Sequence, residues 1–406
     1  MKSQRVRTVL GGLLTILVLI LGWRVSTGHR KDACEIRIPH LLVCQVFDVH
    51  GLVGSEKLSF FQDRDVIAAL ERRGLRVAVE AAGSRTMACD GDLRSYDFAF
   101  PGSTSAAESV LRAAGSGNTP VTVFSSPLVV ATFEEVAGAL PPGVAAVDQQ
   151  TFDVARYLSE VFAAKKRWRD LGLAAPYPGF QRAILLSTRL DTSNSAELLL
   201  AVSSSAANGG VPVTSQDPNK VGPLMRELFQ AQGSTGLTSE EPFDQFLSAE
   251  GYQLPMQVVY EAQFLDAARE NPDGLVTEVT TSDGTTHTFT RIMLYPAHTI
   301  ASDHTIAPMT DRGAQLAAAL TEDPELRRLA AVHGFRPAGD PGAFDAANRD
   351  RGLALLEPPG PPVPVPASQA WKRFMSEVIT GVYGEDRAGA CRACIRRCGG
   401  SSPGTG

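Results

Sequence analysis

Five groups of small, hydroxyl-bearing or glycine residues stand where a strand-like run gives way to a loop. They are Gly54-Ser55-Glu56-Lys57, Gly83-Ser84-Arg85, Pro101-Gly102-Ser103-Thr104-Ser105, Ser125-Ser126-Pro127 and Ser193-Asn194-Ser195. Hydroxyls and free amides at the start of helices hydrogen-bond an oxyanion or a polar ligand, and need no net positive surface to do so. Each group alone is ordinary cap and turn chemistry. Their recurrence after successive strands points to a shared cleft, because ligands of open α/β sheets gather at the carboxyl ends of strands. Ser55, Glu56, Ser84, Arg85, Gly102, Ser125, Ser126, Ser193, Asn194 and Ser195 are the ligand-binding candidates from these loops.

Other chemistry is weaker in the sequence. Glu56 and Glu261 could act as a carboxylate pair in acid–base work, although Glu56 could equally pair with Lys57 or Arg85, or meet a cationic ligand group. A serine hydrolase would want a Ser with His and Asp/Glu partners, and no Gly-x-Ser-x-Gly elbow occurs. His298 and His304 lie near Asp303 in a threonine-containing loop, where a solvated or hydrogen-bonding role is expected. A metal site from His287, His298, His304 and Glu261 is a minor alternative. No P-loop or dinucleotide fingerprint is present, and no cofactor is expected. A binding role is expected ahead of an enzymatic one, with an envelope sensor or scaffold, and then a hydrolase using a Ser or a His/Glu site, as the alternatives.

The elements that must position these loops alternate. Leu41–Val49 reads as a buried strand, Asp63–Arg73 as a helix capped by Asp63 and closed by Gly74, and Leu75–Glu80 as a strand. Tyr96–Phe100, Ser105–Ala114 and Val121–Ala131 continue as strand, helix, strand. Further on, Phe152–Leu171 reads as a helix and Arg182–Thr188 as a strand. Ser195–Ala207 and Pro223–Gln232 are helical by spacing, Gln257–Tyr260 is a strand, and Asp273–Arg291 is a hairpin turning at Asp283-Gly284. Asp311–Leu320 and Asp323–His333 are helices. This is α/β alternation with a largely parallel sheet.

The two ends differ from the middle. Residues 1–33 carry six basic side chains against one acid, and Thr8–Trp23 is an apolar run, which together predict an uncleaved signal anchor with the body outside the membrane. Residues 371–406 hold six basic side chains against three acids, with Cys391, Cys394 and Cys398. The segment between keeps 26 basic and 40 acidic residues, which excludes non-specific nucleic-acid binding. Cys34–Cys44 and Cys44–Cys89 are both open as disulfide pairs. The three tail cysteines lack a fourth zinc ligand and are expected to pair with one another or with Cys34.

The stretches GSEKLSFFQDRDVIAALERRGLRVAVEAAGSR (54–85), YDFAFPGS (96–103), VFSSPLVVAT (123–132), STRLDTSNSAELLLA (187–201), YEAQFL (260–265) and the run from 294 to 336 together carry a resemblance. The chain resembles extracellular solute-binding proteins of the type 2 periplasmic-binding fold, most of all a membrane-anchored actinobacterial branch of unassigned ligand. The resemblance implies a two-lobed α/β fold with crossover strands and a ligand clamped by hinge closure. Lobe 1 would comprise 37–125 and 295–336, and lobe 2 would comprise 126–294. A cytoplasmic terminus, anchor and linker over 1–36, a Pro/Gly-rich spacer over 337–370 and a short helix with a cysteine tail over 371–406 complete the chain. Ser125-Ser126-Pro127 would begin the first crossover, and Glu261 and Tyr295 would lie near the return crossover as further ligand contacts. The implied partners are a small-molecule ligand, the membrane through the amino-terminal helix, and an ABC permease or an envelope signalling protein. The absence of a lipobox and the presence of the spacer and cysteine tail depart from transporter-associated relatives.

Overall fold

A computed structural model describes residues 37–38, 41–42, 46–89, 92–173, 175–213, 218–233, 240–280 and 284–384. The apolar run 8–23 and all cysteines but Cys89, which is held in a disulfide, lie outside them. Among the described residues no helix is long and apolar enough to cross a membrane.

The first unit is a β-α-β crossover. Strand β1 (Phe47–Val53) pairs in parallel with β2 (Leu75–Ala81), and helix α1 (Arg64–Arg72) joins them. The Asp63 carboxylate caps α1 by accepting from the amides of Asp65 (2.7 Å) and Val66 (3.3 Å). Gly74, at φ +76°, turns the chain out of the helix, a conformation that costs other residues about 1–2 kcal/mol. Strand β3 (Phe98–Phe100) pairs in parallel on the other side of β1, and α2 (Thr104–Ala114) follows from the Ser103 cap.

Strand β4 (Val121–Phe133) decides the architecture. Its first half, through Pro127, pairs antiparallel with β8 (Ala301–Pro308) and with β9 (Arg336–Pro337). From Leu128 onward it pairs instead with β5 (Met256–Tyr260) and β7 (Thr286–Pro296). One strand therefore runs through both halves of a single continuous sheet, whose antiparallel pairings along this strand correct the expectation of a largely parallel one, and the hydrophobic side chains divide between the halves. Phe60, Phe100, Phe124 and Phe335 pack in the first lobe, with Phe124 at 5.0 Å from Phe335 and 5.6 Å from Phe100 between ring centroids. Phe133, Phe246, Phe289 and Trp168 centre the second. The chain is a two-lobed mixed α/β molecule.

The second lobe holds α3 (Asn194–Ala207), α4 (Pro218–Ala231), α5 (Glu240–Leu247) and α6 (Glu261–Glu270). Strand β6 (Val276–Thr280) forms the expected hairpin with β7, and Gly284 has φ +84° in its turn. After β8 come α7 (Asp311–Glu322), α8 (Pro324–Val332), α9 (Pro341–Asn348) and α10 (Gln369–Tyr383).

Two further sequence expectations are corrected. Phe152–Leu171 is not one helix: helical turns over Val154–Phe162 end at Lys165, which takes φ +54°, and Trp168–Leu171 is a separate 3-10 turn. Arg182–Thr188 is extended but is no ladder strand. Side chains take two of its amides, Leu185 N–H donating to Tyr157 Oη (2.7 Å) and Ser187 N–H to Gln232 Oε1 (3.0 Å), leaving single bridges at Arg182 and Leu186. The proline-rich stretch has neither helix nor strand and runs along the body, with Val363 N–H donating to Thr299 O at 2.7 Å.

Candidate functional site

The two lobes meet along a polar seam. From the first lobe come the turn after β1 (Ser55–Lys57), the loop 83–85 after β2, Gly102 after β3, and Ser302 and His304 on β8. From the second come Thr192 to Glu197 at the start of α3 and Tyr260 at the end of β5. Asn194 is the joint. Its Nδ2 donates to Gly102 O (3.0 Å), Tyr260 Oη (3.1 Å) and Ser302 Oγ (3.2 Å). Ser302 Oγ also donates to Gly102 O (2.5 Å), and the Gly102 amide donates to Ser84 Oγ (2.9 Å). Two glycines permit this approach: a Cβ on Gly102 would stand 2.9 Å from Asn194 Nδ2, and one on Gly83 would stand 2.8 Å from Thr192 O. Beside them Arg85 crosses the seam, its amide donating to Thr192 O (3.1 Å) and Nη1 to Glu197 Oε2 (2.5 Å).

Behind Asn194 lies a buried charged group. Glu56 is in contact with the Lys57 ammonium, which also stands 5.0 Å from the Phe100 ring centroid. His304 Nδ1 is 3.3 Å from Glu56 Oε1, and its ring meets Tyr260 edge-on at 5.3 Å. Burial alone would raise the Glu56 carboxyl, but Lys57 and His304 outweigh it and hold the carboxyl far below the usual range. Burial first, and then Lys57, pushes His304 down to about 4, so its imidazole is neutral at pH 7. Burial and the charge of Glu56 push the Tyr260 phenol up, so it keeps its proton. On the next helix Glu240 is raised to about 7 by burial and by Asp244, Glu56 and Asp266. Asn194 Oδ1 and His304 Nε2 are buried without a hydrogen-bond partner.

Of the residues selected from sequence, Glu56, Ser84, Arg85, Gly102 and Asn194 meet at this seam. Ser55 is buried in the same turn as Glu56. Ser193 Oγ and Ser195 Oγ bond to each other (3.0 Å), and Ser195 Oγ to Thr188 Oγ1 (2.9 Å), inside the second lobe. Ser126 Oγ accepts from the Ala262 amide at the start of α6 (3.1 Å), and Ser125 sits in the ladder opposite Asp303 and Arg336. Glu261 and Tyr295 are brought together but are committed elsewhere. The Tyr295 hydroxyl donates to Glu261, and Arg336 grips both carboxylate oxygens at 2.7 Å while donating to Leu355 O and Leu356 O. Glu56 is held by Lys57 beside His304, and Glu261 by Arg336 and Tyr295.

The pairing of Glu56 with Lys57, one of the alternatives the sequence offered, is present. Sequence reasoning missed Tyr260, Ser302, Glu197 and the burial of His304, which is fully buried on β8 beside Glu56. The two-residue spacing of Ser302 and His304 was the available signal, since alternate residues of a strand share a face. The imagined metal group does not assemble: among the described residues no cluster of three His, Cys, Asp or Glu could hold an ion.

A cavity of about 370 Å³ opens at the other end of α3, between Val202, Ser205, Gly209, His298 and Pro362. It contains none of the ligand-binding candidates, and His298 is its one residue that the sequence had singled out, for a metal site. The seam has the stronger claim to recognition, because polar groups from both lobes converge there.

Comparison with protein-family models finds no match, and comparison with curated proteins finds none. Among solved structures, a sulfate-binding protein from Mycobacterium tuberculosis is 15% identical, with 76% of this chain and 92% of that one covered at a TM-score of 0.43. An iron-bound protein from Pseudomonas aeruginosa is 10% identical over 87% and 99%, at 0.43. A periplasmic thiamin binding protein is 11% identical over 86% and 98%, at 0.48. Identities this low carry no residue from those proteins to this chain.

Proposed function

We propose that this chain is a solute-binding protein of the type 2 periplasmic-binding kind, anchored in the membrane by residues 8–23, with its two lobes closing on a small polar ligand outside the cell. The observation that supports this most is the unpartnered pair at the seam. A buried polar atom without a hydrogen bond costs about 1–3 kcal/mol, and here Asn194 Oδ1 and His304 Nε2 stand in that state where the lobes meet. A ligand bearing a hydrogen-bond donor would relieve the first. Because His304 is neutral and Glu56 is matched by Lys57, the seam itself is close to electroneutral. That suits a neutral or zwitterionic ligand better than a multiply charged anion.

The chain binds rather than transforms. Ser84, Ser193, Ser195 and Ser302 bond to amides, carbonyls and hydroxyls, and none is bonded to an imidazole that could take its proton. An ABC permease is the partner in an uptake role, and an envelope signalling protein is the partner in a sensing role. The close engagement of α10 with the second lobe and with Arg85 favours the sensing role as the second reading, since it ties the carboxy-terminal region to the closed state.

The test is a thermal-shift screen of sugars, amino acids, oxyanions and amines, repeated on Ser84→Ala and Asn194→Ala. A bound ligand raises the melting temperature by mass action, and both substitutions should weaken that shift. A shift unaffected by either would remove the seam from the account.

A further inference from the structure

Helix α10 is not a free tail. Its Trp371, Phe374, Met375, Val378 and Ile379 are buried in the core of the second lobe. The Ser368 hydroxyl caps it by accepting from the Trp371 amide (3.1 Å). Two of its side chains reach the seam. Trp371 Nε1 donates to Glu197 Oε1 (3.2 Å), while the other oxygen of the same carboxylate accepts from Arg85 Nη1 of the first lobe. The Met375 sulfur lies 3.1 Å from that same Nη1. At the far end of the helix Tyr383 Oη accepts from the Leu190 amide (3.1 Å), and the Arg189 guanidinium stands 4.3 Å above its ring. The helix thus holds the segment 189–197 at both ends, and this is the segment whose Thr192 carbonyl accepts from Arg85 across the seam.

We propose that α10 is a strap of the interlobe clamp, with Trp371 and Met375 as positioning residues that keep Glu197 and Arg85 in the closed arrangement. Glu197 is the pivot, because one oxygen serves the helix and the other serves the opposite lobe. Charge-assisted hydrogen bonds are the stronger and more directional kind, so loss of the indole N–H leaves Glu197 less well held and favours opening. The strap deepens the clamp reading given above. It also gives the carboxy-terminal region, which continues from Gly384 into the three-cysteine tail, a direct mechanical link to the ligand site.

Hydrogen exchange on the full-length chain, with no ligand added, tests it. The reporter is the Arg85 amide, whose partner is on the other lobe. Trp371→Phe keeps an aromatic ring in the core but removes the N–H, and should speed exchange at Arg85 roughly tenfold, as loss of a bond to a charged group implies. Exchange in β3 and β5 should stay unchanged. Glu197→Gln, which lies outside the helix, should have a comparable effect. The double variant should exchange no faster than the more affected single one, because both act through one carboxylate. Unchanged exchange at Arg85 in either single variant, or additive effects in the double, would overturn the strap. So would acceleration spread over the whole second lobe, which would mark Trp371 as a core residue only. The assay contains no ligand, so the strap can fail while the binding site stands, and the Asn194→Ala screen can fail while the strap stands.

Discussion

Glu240 is the residue whose charge the fold resists most clearly. Its carboxyl is raised from an ordinary value near 4.5 to about 7, first by burial and then by Asp244, Glu56 and Asp266. Below pH 4.5 folded and unfolded chains both hold the proton. As pH rises toward 7 the unfolded chain releases it first, so this group's contribution to stability falls across that window. Glu240→Gln should therefore be more stable than the natural chain at pH 8, by about 1–3 kcal/mol, with the gap closing toward pH 4 in denaturant titrations. His304 works the other way, since the unfolded chain gains a proton between about pH 6.5 and 4 that the buried imidazole refuses. A second prediction concerns Arg336, which grips the fully buried Glu261. Arg336→Met should cost about 3–5 kcal/mol by leaving that carboxylate without its counter-ion, and adding Glu261→Leu should restore much of it in the same measurement. At this scale the loop residues were legible and the strand residues were not. Ser84, Gly102 and Asn194 sit where turn chemistry exposes them to inspection, whereas Tyr260 closes an apolar run and Ser302 lies within a strand.

Helix caps were the most readable elements. Asp63 and Asp323 each accept two amides at the start of their helices, as their positions before helical spacing suggest. Arg182–Thr188 departs from a strand for a physical reason: two of its amides are taken by the side chains of Tyr157 and Gln232, and no local pattern announces partners so distant in sequence. Contacts between elements also govern Gly334, which ends α8 at φ +82°. A Cβ there would stand 2.7 Å from Leu265 Cβ and 2.9 Å from Ala262 Cα on α6. Gly334→Ala should lower stability by about 2 kcal/mol or more, the cost of a left-handed backbone together with displacement of a packed helix, read from the urea midpoint.

The whole molecule is two lobes, the first with a hydrophobic cluster on each side of its strands, joined by one strand that changes partners at Pro127 and Leu128. Resemblance to a family supplied the expectation of two lobes, since composition and periodicity speak only of α/β alternation. The docking of α10 on the seam was not legible, because the bond from Trp371 to Glu197 joins residues 174 positions apart. Close apposition of the lobes depends on Gly83, so Gly83→Ala should hold them apart and increase the radius of gyration in solution scattering, with secondary structure unchanged. We propose that the seam receives a small polar solute. The most direct test is calorimetric titration, with the solute that most raises the melting temperature, of the natural chain and of Asn194→Ala. Saturable one-to-one binding to the natural chain, weakened at least tenfold in the variant, is the predicted result. Equal affinity in the two would contradict it.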